Sequence, residues 1–569
     1  MSGRWALLAG FVLLSLSLAA GLGLRDPSPP DEPRFVLAAR GMVDTGQWLV
    51  PRRGHELYAE KPPVFMWMQA AVYQLVGDWR VAFLLPSLLA ALLTLALTWD
   101  LARRLWSMRV AAFAAAGLWA CVQFGLQAKR AQIDMVLVAL TTLSLWALVR
   151  HLMIDGRRRW LLIGGFAAGV GTVTKGVGFL PLLMVVPWYL HRRRYDAMAG
   201  PCGVGDTWVL AASFGAGLAV WLVPLTFEVL RSGDPQLRAY AGELLLRQTG
   251  ERYANAWHHV QPAWYYLQVI VTLWLPGALL LPWLVPAWWR AVRAGDQATW
   301  LLVGWALLVL VFFCLSPGKR EVYIFPALPA LCVAAAPFLP VLLQRKGVQR
   351  ALAAYVAAVS LVLVGLGTAG LAGWSDWALT LAAERDIPAD RLATFLRWLA
   401  GTGAFGLVLL SACRLARAGV ATVVMTGAVW TAYGLGLAPA VDESASARTV
   451  MHAARRHIGH GAEMGLIAWR EQNLLQAVPP VAEFGFKAPW RVQWHRAQQW
   501  AAANPRARWI FFLEEAASPC IRPGASIPVG QSNRRQWRLV RATALIPGCV
   551  TPELDDEPAR RTPALRRRP

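Results

Sequence analysis

Residues 31–63 read DEPRFVLAARGMVDTGQWLVPRRGHELYAEKPP, and the fold is decided by what this stretch is doing between two apolar segments. It opens on paired acids, Asp31 and Glu32, with the cation Arg34 close behind. It closes on Tyr58, Ala59, Glu60, Lys61 and Pro62. The apolar runs on either side anchor it beside a membrane. A carboxylate base, a cation suited to phosphate and an aromatic side chain, held at a bilayer surface, suit chemistry on a lipid-carried group.

Composition supports the membrane setting. Of 569 residues, 57% are apolar and 16% charged, against roughly 45–50% apolar in soluble domains. The 30 Trp fit a chain with many membrane–water interfaces. Apolar runs begin near Trp5, Val81, Val110, Met135, Trp160, Val177, Trp208, Tyr265, Trp300, Tyr323, Ala351, Phe395 and Val420, which predicts about thirteen spans. The stretch Trp160–Tyr189 is divided at Thr174–Lys175–Gly176. The first run, Trp5–Leu24, is about 20 residues, long enough to span and longer than a signal-peptide core, and is expected to be retained.

The net charge of +23 admits either nucleic-acid binding or basic cytoplasmic loops. With Met1 inside, the short even-numbered connections carry Arg103, Arg104 and Arg109, then Arg157–Arg159, Arg192–Arg194, Arg290 and Arg293, Arg345, Lys346 and Arg350, and Arg414 and Arg417. That is the positive-inside pattern, and it accounts for much of the charge without nucleic acid. The outer connections still hold Lys61, Lys129, Arg130, Lys175, Arg247, Arg252, Lys319 and Arg320. These run against the bias, and binding an anion is the simplest reason for them. Each alone is equally a snorkelling side chain; together on one side they form a phosphate clamp.

Within the first outer loop, Phe35–Leu49 and Val64–Val76 are too short to span and read as helices lying in the interface, the other reading being one re-entrant segment. Residues 1–440 are therefore assigned to the transmembrane domain, with interface helices within 25–80. Residues 441–552 are more polar. Helical stretches near Ala447–His457 and Arg496–Ala503 alternate with strand-like Gly465–Trp469 and Trp509–Leu513, which predicts a small outer α/β domain. Residues 553–569, rich in Pro and Arg, read as a disordered basic tail. Seven Cys lack metal-ligand spacing; Cys520 and Cys549 can pair if this domain lies in an oxidising compartment.

Asp31 is the candidate general base, although an acid before a helix also serves as a cap, and Asp134 admits the same two readings. His258 and His259 lie in the outer loop with Arg247, Glu251 and Arg252; adjacent histidines alone leave a divalent metal open. No P-loop, H-E-x-x-H or C-x-x-C pair occurs, and no dinucleotide-binding glycine pattern follows a strand, so a nucleotide-sugar donor finds no support.

The ordered set Asp31–Glu32–Pro33–Arg34–Phe35, Gly46–Gln47–Trp48–Leu49–Val50–Pro51, Tyr58–Ala59–Glu60–Lys61–Pro62, Asp134, Thr174–Lys175–Gly176, Glu251–Arg252–Tyr253, Pro262 with Trp264–Tyr265–Tyr266, and Gly318–Lys319 with Tyr323 resembles the membrane glycosyltransferases that use polyprenyl-phosphate sugars. These include protein O-mannosyltransferases and the bacterial aminoarabinose transferases of lipid A. The resemblance covers residues 1 to about 330 and implies a GT-C fold, an α-helical polytopic bundle with its site at the periplasmic face of a bacterial inner membrane. It implies inverting transfer from an undecaprenyl-phosphate-type donor to lipid A or another envelope acceptor. Asp31, with Glu32, would be catalytic. Lys61, Lys175, Arg252 and Tyr323 would hold the donor phosphate, and Arg34, Tyr58, Glu60, Asp134, Arg247, His258 and Lys319 would line the pocket. Pro33 and Phe35 stand where aminoarabinose transferases tend to have Thr and Tyr, and Ala59 where they have Phe, departures that bear on sugar and acceptor. The alternatives are transfer to protein or glycan acceptors, or a transporter of lipid-linked sugars that binds the same headgroup without cleaving it.

Overall fold

The structure is a computed structural model that describes residues 2–195, 203–244, 260–374, 376–459 and 461–554. Its body is a bundle of apolar helices. Among the described residues, seven are long and apolar enough to cross a membrane: Trp79–Leu105, Ile133–Asp155, Val204–Ser232, Gln297–Leu315, Lys346–Ala372, Ala389–Cys413 and Leu415–Ala440. Two further helix pairs are sharply bent, by 71° between Met108–Ala120 and Val122–Ala128 and by 103° between Tyr265–Leu273 and Gly277–Arg293. The number of long helices is thus seven, or nine if each bent pair is one span, against about thirteen expected spans. The remaining expected segments exist as shorter helices. They include α1 (Ser2–Ala19), Arg159–Lys175, Val185–Tyr195 and Ala327–Ala335. The predicted division at Lys175 is present: the helix stops there, and Gly176 takes the left-handed conformation (φ 82°) that a Cβ would oppose.

The two bends meet. A broken helix frees backbone groups that lipid cannot satisfy. Here Val122 N–H donates to Leu275 O (2.9 Å), and Trp274 Nε1 donates to Gln123 Oε1 (2.7 Å). Gln123 Nε2 in turn donates to Glu321 O (2.8 Å), which fixes the turn that bears Arg320 and Tyr323.

The expected pair of short helices is α2 (Glu32–Thr45) and α3 (Val64–Val76). The buried face of α2 carries Phe35, Val36, Ala38, Ala39 and Met42. Phe35 meets Phe65 of α3 edge-on at 5.4 Å, so Phe35 serves as packing between the two helices. Between them a two-residue hairpin, β1 (Arg52–Arg53) with β2 (Glu56–Leu57), sets up the turn into Tyr58–Lys61.

The C-terminal part is a five-stranded sheet in the order β4-β3-β5-β7-β6, with β3 (Glu463–Ile467), β4 (Val481–Glu483), β5 (Arg508–Leu513), β6 (Ile527–Ser532) and β7 (Arg535–Arg541). β3 runs parallel to β4 and β5, while β7 is antiparallel to both β5 and β6. Both predicted strands are present as β3 and β5. The sequence pattern missed the other three: β4 is three residues long, β6 contains Pro528 and Gly530 at an irregular register, and β7 is more than half arginine and glutamine. Helices Arg448–Ile458 and Trp490–Ala503 cover the sheet. Trp494 and Trp537 are buried in its core, and Cys520 and Cys549 form a disulfide.

Candidate active site

Asp31 occupies the N-cap position of α2, yet its carboxylate makes no cap hydrogen bond. The reason is local. Its backbone is helical (φ −102°, ψ −36°) rather than extended, and Pro33 at the second helical position has no N–H to offer. The side chain is free to face elsewhere. It accepts one close hydrogen bond, from Gln132 Nε2 at 2.9 Å. Two guanidiniums stand just outside bonding distance, Arg320 at 3.7 Å and Arg34 at 3.8 Å. At 17% exposure the carboxylate is accessible and under-coordinated.

Asp134 lies in the first turn of the helix that begins at Ile133, whose N-cap is Gln132. It is buried and ion-paired with Lys175, so pairing rather than capping accounts for it. The Lys175 ammonium also lies 5.3 Å from the Tyr323 ring centre, within cation–π range. Arg320 links this group to the base. Its burial opposes the charge, but the Asp31 and Asp134 carboxylates more than offset this and hold it above the usual guanidinium range. Asp31, Asp134, Lys175, Arg320 and Tyr323 thus converge at one end of the bundle from four separate elements.

On the other flank, Arg34, Arg53, Glu60 and Tyr58 gather. Arg53 donates to Glu60 (3.1 Å) and Arg34 reaches Glu60 at 3.5 Å. Tyr58 is buried to 1% exposure; burial first, then the Glu60 charge, raise its hydroxyl well above the usual phenol range, so it stays protonated. Lys61 follows directly and is half-buried.

Three expectations need correction or placement. Glu32, expected beside Asp31 in catalysis, is committed to hydrogen bonds within the fold. Both its oxygens are taken by Arg25 (2.5 and 2.7 Å), and it also accepts from Ser28 N (2.8 Å) and Ala131 N (2.9 Å). A carboxylate so saturated holds structure together. Lys319 is spent on backbone: its ammonium donates to Ser316 O of its own turn (2.7 Å) and to Gln261 O (3.2 Å). Arg247, Arg252 and His258 lie outside the described residues. Among the described residues no group of three His, Cys, Asp or Glu is placed to hold a metal.

Gln132 is a site neighbour that the sequence reading did not single out, and Arg320 entered it only among the outer-loop cations. Arg320 adjoins the Lys319 motif and carried that signal. Gln132 carried none beyond standing two residues before Asp134.

Residues 60–199 match the model of the dolichyl-phosphate-mannose-protein mannosyltransferase family, a span that includes Glu60, Lys61, Asp134 and Lys175. An undecaprenyl phosphate-α-4-amino-4-deoxy-L-arabinose arabinosyl transferase of Pseudomonas fluorescens is 30% identical over 342 residues, covering 58% of this chain and 59% of that protein. A protein of the same description from Pseudomonas aeruginosa is 32% identical over 313 residues, covering 53% and 54%. The chain thus spans little more than half the length of the curated relatives it matches. The crystal structure of ArnT from Cupriavidus metallidurans bound to undecaprenyl phosphate superposes with a TM-score of 0.71 at 22% identity, over 96% of this chain and 100% of that one. The fold is therefore the GT-C fold, a helical membrane body followed by a small sheet domain.

Proposed function

We propose that this GT-C chain is an inverting glycosyltransferase that moves a sugar from an undecaprenyl-phosphate-type carrier to lipid A or another envelope acceptor. The observation that carries the reading is Asp31: an acid at a helix start that caps nothing, makes one close hydrogen bond and faces a rim of cations. In the transfer, an acceptor hydroxyl oxygen attacks the anomeric carbon as its proton passes to Asp31. The bond from that carbon to the phosphate oxygen breaks with its electron pair going to phosphate. Lys61, Lys175 and Arg320 stabilise the charge that develops on the leaving polyprenyl phosphate, with Arg252 and Arg247 as further candidates. Tyr58 and Tyr323 bound the pocket. The names of the relatives make 4-amino-4-deoxy-L-arabinose the first donor sugar to test.

The site is assigned to the periplasmic face of a bacterial inner membrane. The basic loops on the opposite side support this, as does the Cys520–Cys549 disulfide in the sheet domain, since such bonds persist in oxidising compartments. The two bent helix pairs favour one second reading, a transporter of lipid-linked sugars, because transporters bind at broken helices. Here the breaks seal each other, and the ionisable residues gather instead at the bundle end.

Mass spectrometry of lipid A separates the readings. Cells lacking the gene are compared with cells complemented by the wild type or by Asp31→Asn. The sugar-sized mass is expected to return only with the wild type. Its return with Asp31→Asn removes the base from the mechanism and favours transport. Unchanged lipid A in all three redirects the acceptor to protein or glycan.

A further inference from the structure

Four charged side chains beside Asp31 close into a ring, and one of them comes from the sheet domain. Arg34 Nε lies 3.3 Å and Arg53 Nη1 3.1 Å from the same oxygen of Glu471. The same two guanidiniums reach Glu60 at 3.5 and 3.1 Å. Two cations therefore alternate with two anions, and each carboxylate bridges both guanidiniums. Arg53 is further sandwiched, with Phe486 of the sheet domain 3.8 Å and Tyr58 5.3 Å from its guanidinium carbon. Its side chain is only 5% exposed. A guanidinium that buried depends on its carboxylates, because water cannot replace them.

Glu471 is itself held firmly. It opens the helix Glu471–Gln476, where a negative charge suits the helix start, and the Asn473 side chain accepts from Arg470 N (2.9 Å) at the turn before it. The ring has a direct consequence for the base. Arg34 stands three residues after Asp31 on one helix, the spacing at which opposite charges pair. Glu471 and Glu60 instead draw the Arg34 guanidinium outward, to 3.8 Å from Asp31, and leave the carboxylate open.

We propose that Glu471 is a positioning residue of the transfer site: the sheet domain, through this one carboxylate, holds Arg34 off Asp31 and fixes Arg53 behind the Tyr58–Lys61 turn. The inference rests on the transferase reading. It makes the sheet domain a working part of the site.

The test uses full-length protein in detergent with a polyprenyl-phosphate aminoarabinose donor and lipid A as acceptor. Glu471→Gln keeps the shape and removes the charge. Its kcat is expected to fall about 10- to 100-fold, the range for a misplaced group, with donor KM within about 3-fold of wild type because the phosphate-binding cations remain. Glu471→Asp is expected to recover most of the loss. Hydrogen exchange across 52–61 is expected to quicken in Glu471→Gln. Glu483→Gln is the control: Glu483 accepts from His55 N (2.8 Å) and pairs with the His55 ring at the same interface, but lies outside the ring, so its kcat is expected to stay within about 3-fold. Wild-type kcat with unchanged exchange in Glu471→Gln overturns the proposal. Equal losses in both variants also overturn it, in favour of general domain docking. Should the wild type transfer nothing, the transferase reading falls, and the exchange of 52–61 still decides whether Glu471 holds the turn.

Discussion

Two charged regions flank the start of α2, and they differ in how completely their charges are spent. The region around Asp31 holds one close hydrogen bond and two cations just beyond reach. The region around Glu32 is closed. Arg25 grips Glu32 with both nitrogens and also donates to Lys129 O (3.0 Å). Asp26 takes Arg80 at 3.1 Å and pairs with Arg448, and its N–H donates to Asp442 (2.8 Å). Lys129 gives its ammonium to Leu18 O (3.1 Å) and Ala20 O (2.8 Å); burial, then the Arg25 charge, push it down to about 7. Both regions tie the bundle to residues after 440. Their residue types are the same, so saturation tells the structural cluster from the reactive one.

The sharpest way to break this contrast is to exchange the fates of the two neighbouring acids. Asp31→Asn is expected to cost about 10³-fold in transfer rate, within the range for a lost general base, with unfolding temperature and donor binding unchanged. Glu32→Gln is expected to do the reverse. It leaves Arg25 buried without its counter-ion, which costs about 3–5 kcal/mol of stability, read as a lower unfolding temperature, while activity per folded molecule is kept. A destabilised Asp31→Asn, or a Glu32→Gln that folds well and does not turn over, would invert the assignment.

The contrast sharpens at the donor phosphate. Lys61→Ala removes one charge-assisted contact from the leaving group, about 1.5–3 kcal/mol, and so a loss of about 10- to 100-fold in kcat/KM. Lys319→Ala, whose partners are the backbone carbonyls of Ser316 and Gln261, is expected to change kcat/KM far less. Steady-state kinetics on the pair decide this, and equal losses return Lys319 to the phosphate clamp.

How much of this was legible follows from distance along the chain. Asp31, Lys61, Asp134, Lys175 and Tyr323 sit in short motifs, and the structure brings Asp31, Asp134, Lys175 and Tyr323 into one cluster through Arg320. The contacts of Glu471 were not legible, because Arg53 lies 418 residues and Arg34 437 residues away from it, and no local pattern announces such a pairing. The helix breaks were missed for another reason. Hydropathy continues unbroken through Cys121 and through Leu275–Gly277, so a composition window sees spans where the backbone bends. The engagement of Glu32 was not legible either, because its adjacency to Asp31 resembles a catalytic pair while its partner Arg25 precedes the motif.

The smallest expected effect lies in the closed cluster and tests whether saturation there is complete. Asp442 is pushed up from the usual carboxylate range to about 6, by burial first and by the neighbouring Asp26 charge, against the hydrogen bond from Asp26 N. The folded state therefore holds this proton more tightly than the unfolded state. Stability falls as pH rises through the window from roughly 4 to 6, and the penalty is fully present above it. A gap of about two pKa units sets a ceiling of roughly 3 kcal/mol. The lost attraction to Arg448 and Arg25 trims the net gain of Asp442→Asn to about 1 kcal/mol, since the amide oxygen still accepts from Asp26 N. Unfolding temperatures measured from pH 4 to 8 are expected to favour Asp442→Asn above pH 6 and to converge with wild type at the acid end. A variant less stable than wild type at pH 7.5 means that the Asp442 charge is a needed partner of Arg448, and that the closed cluster is held by one more ion pair than its geometry alone displays.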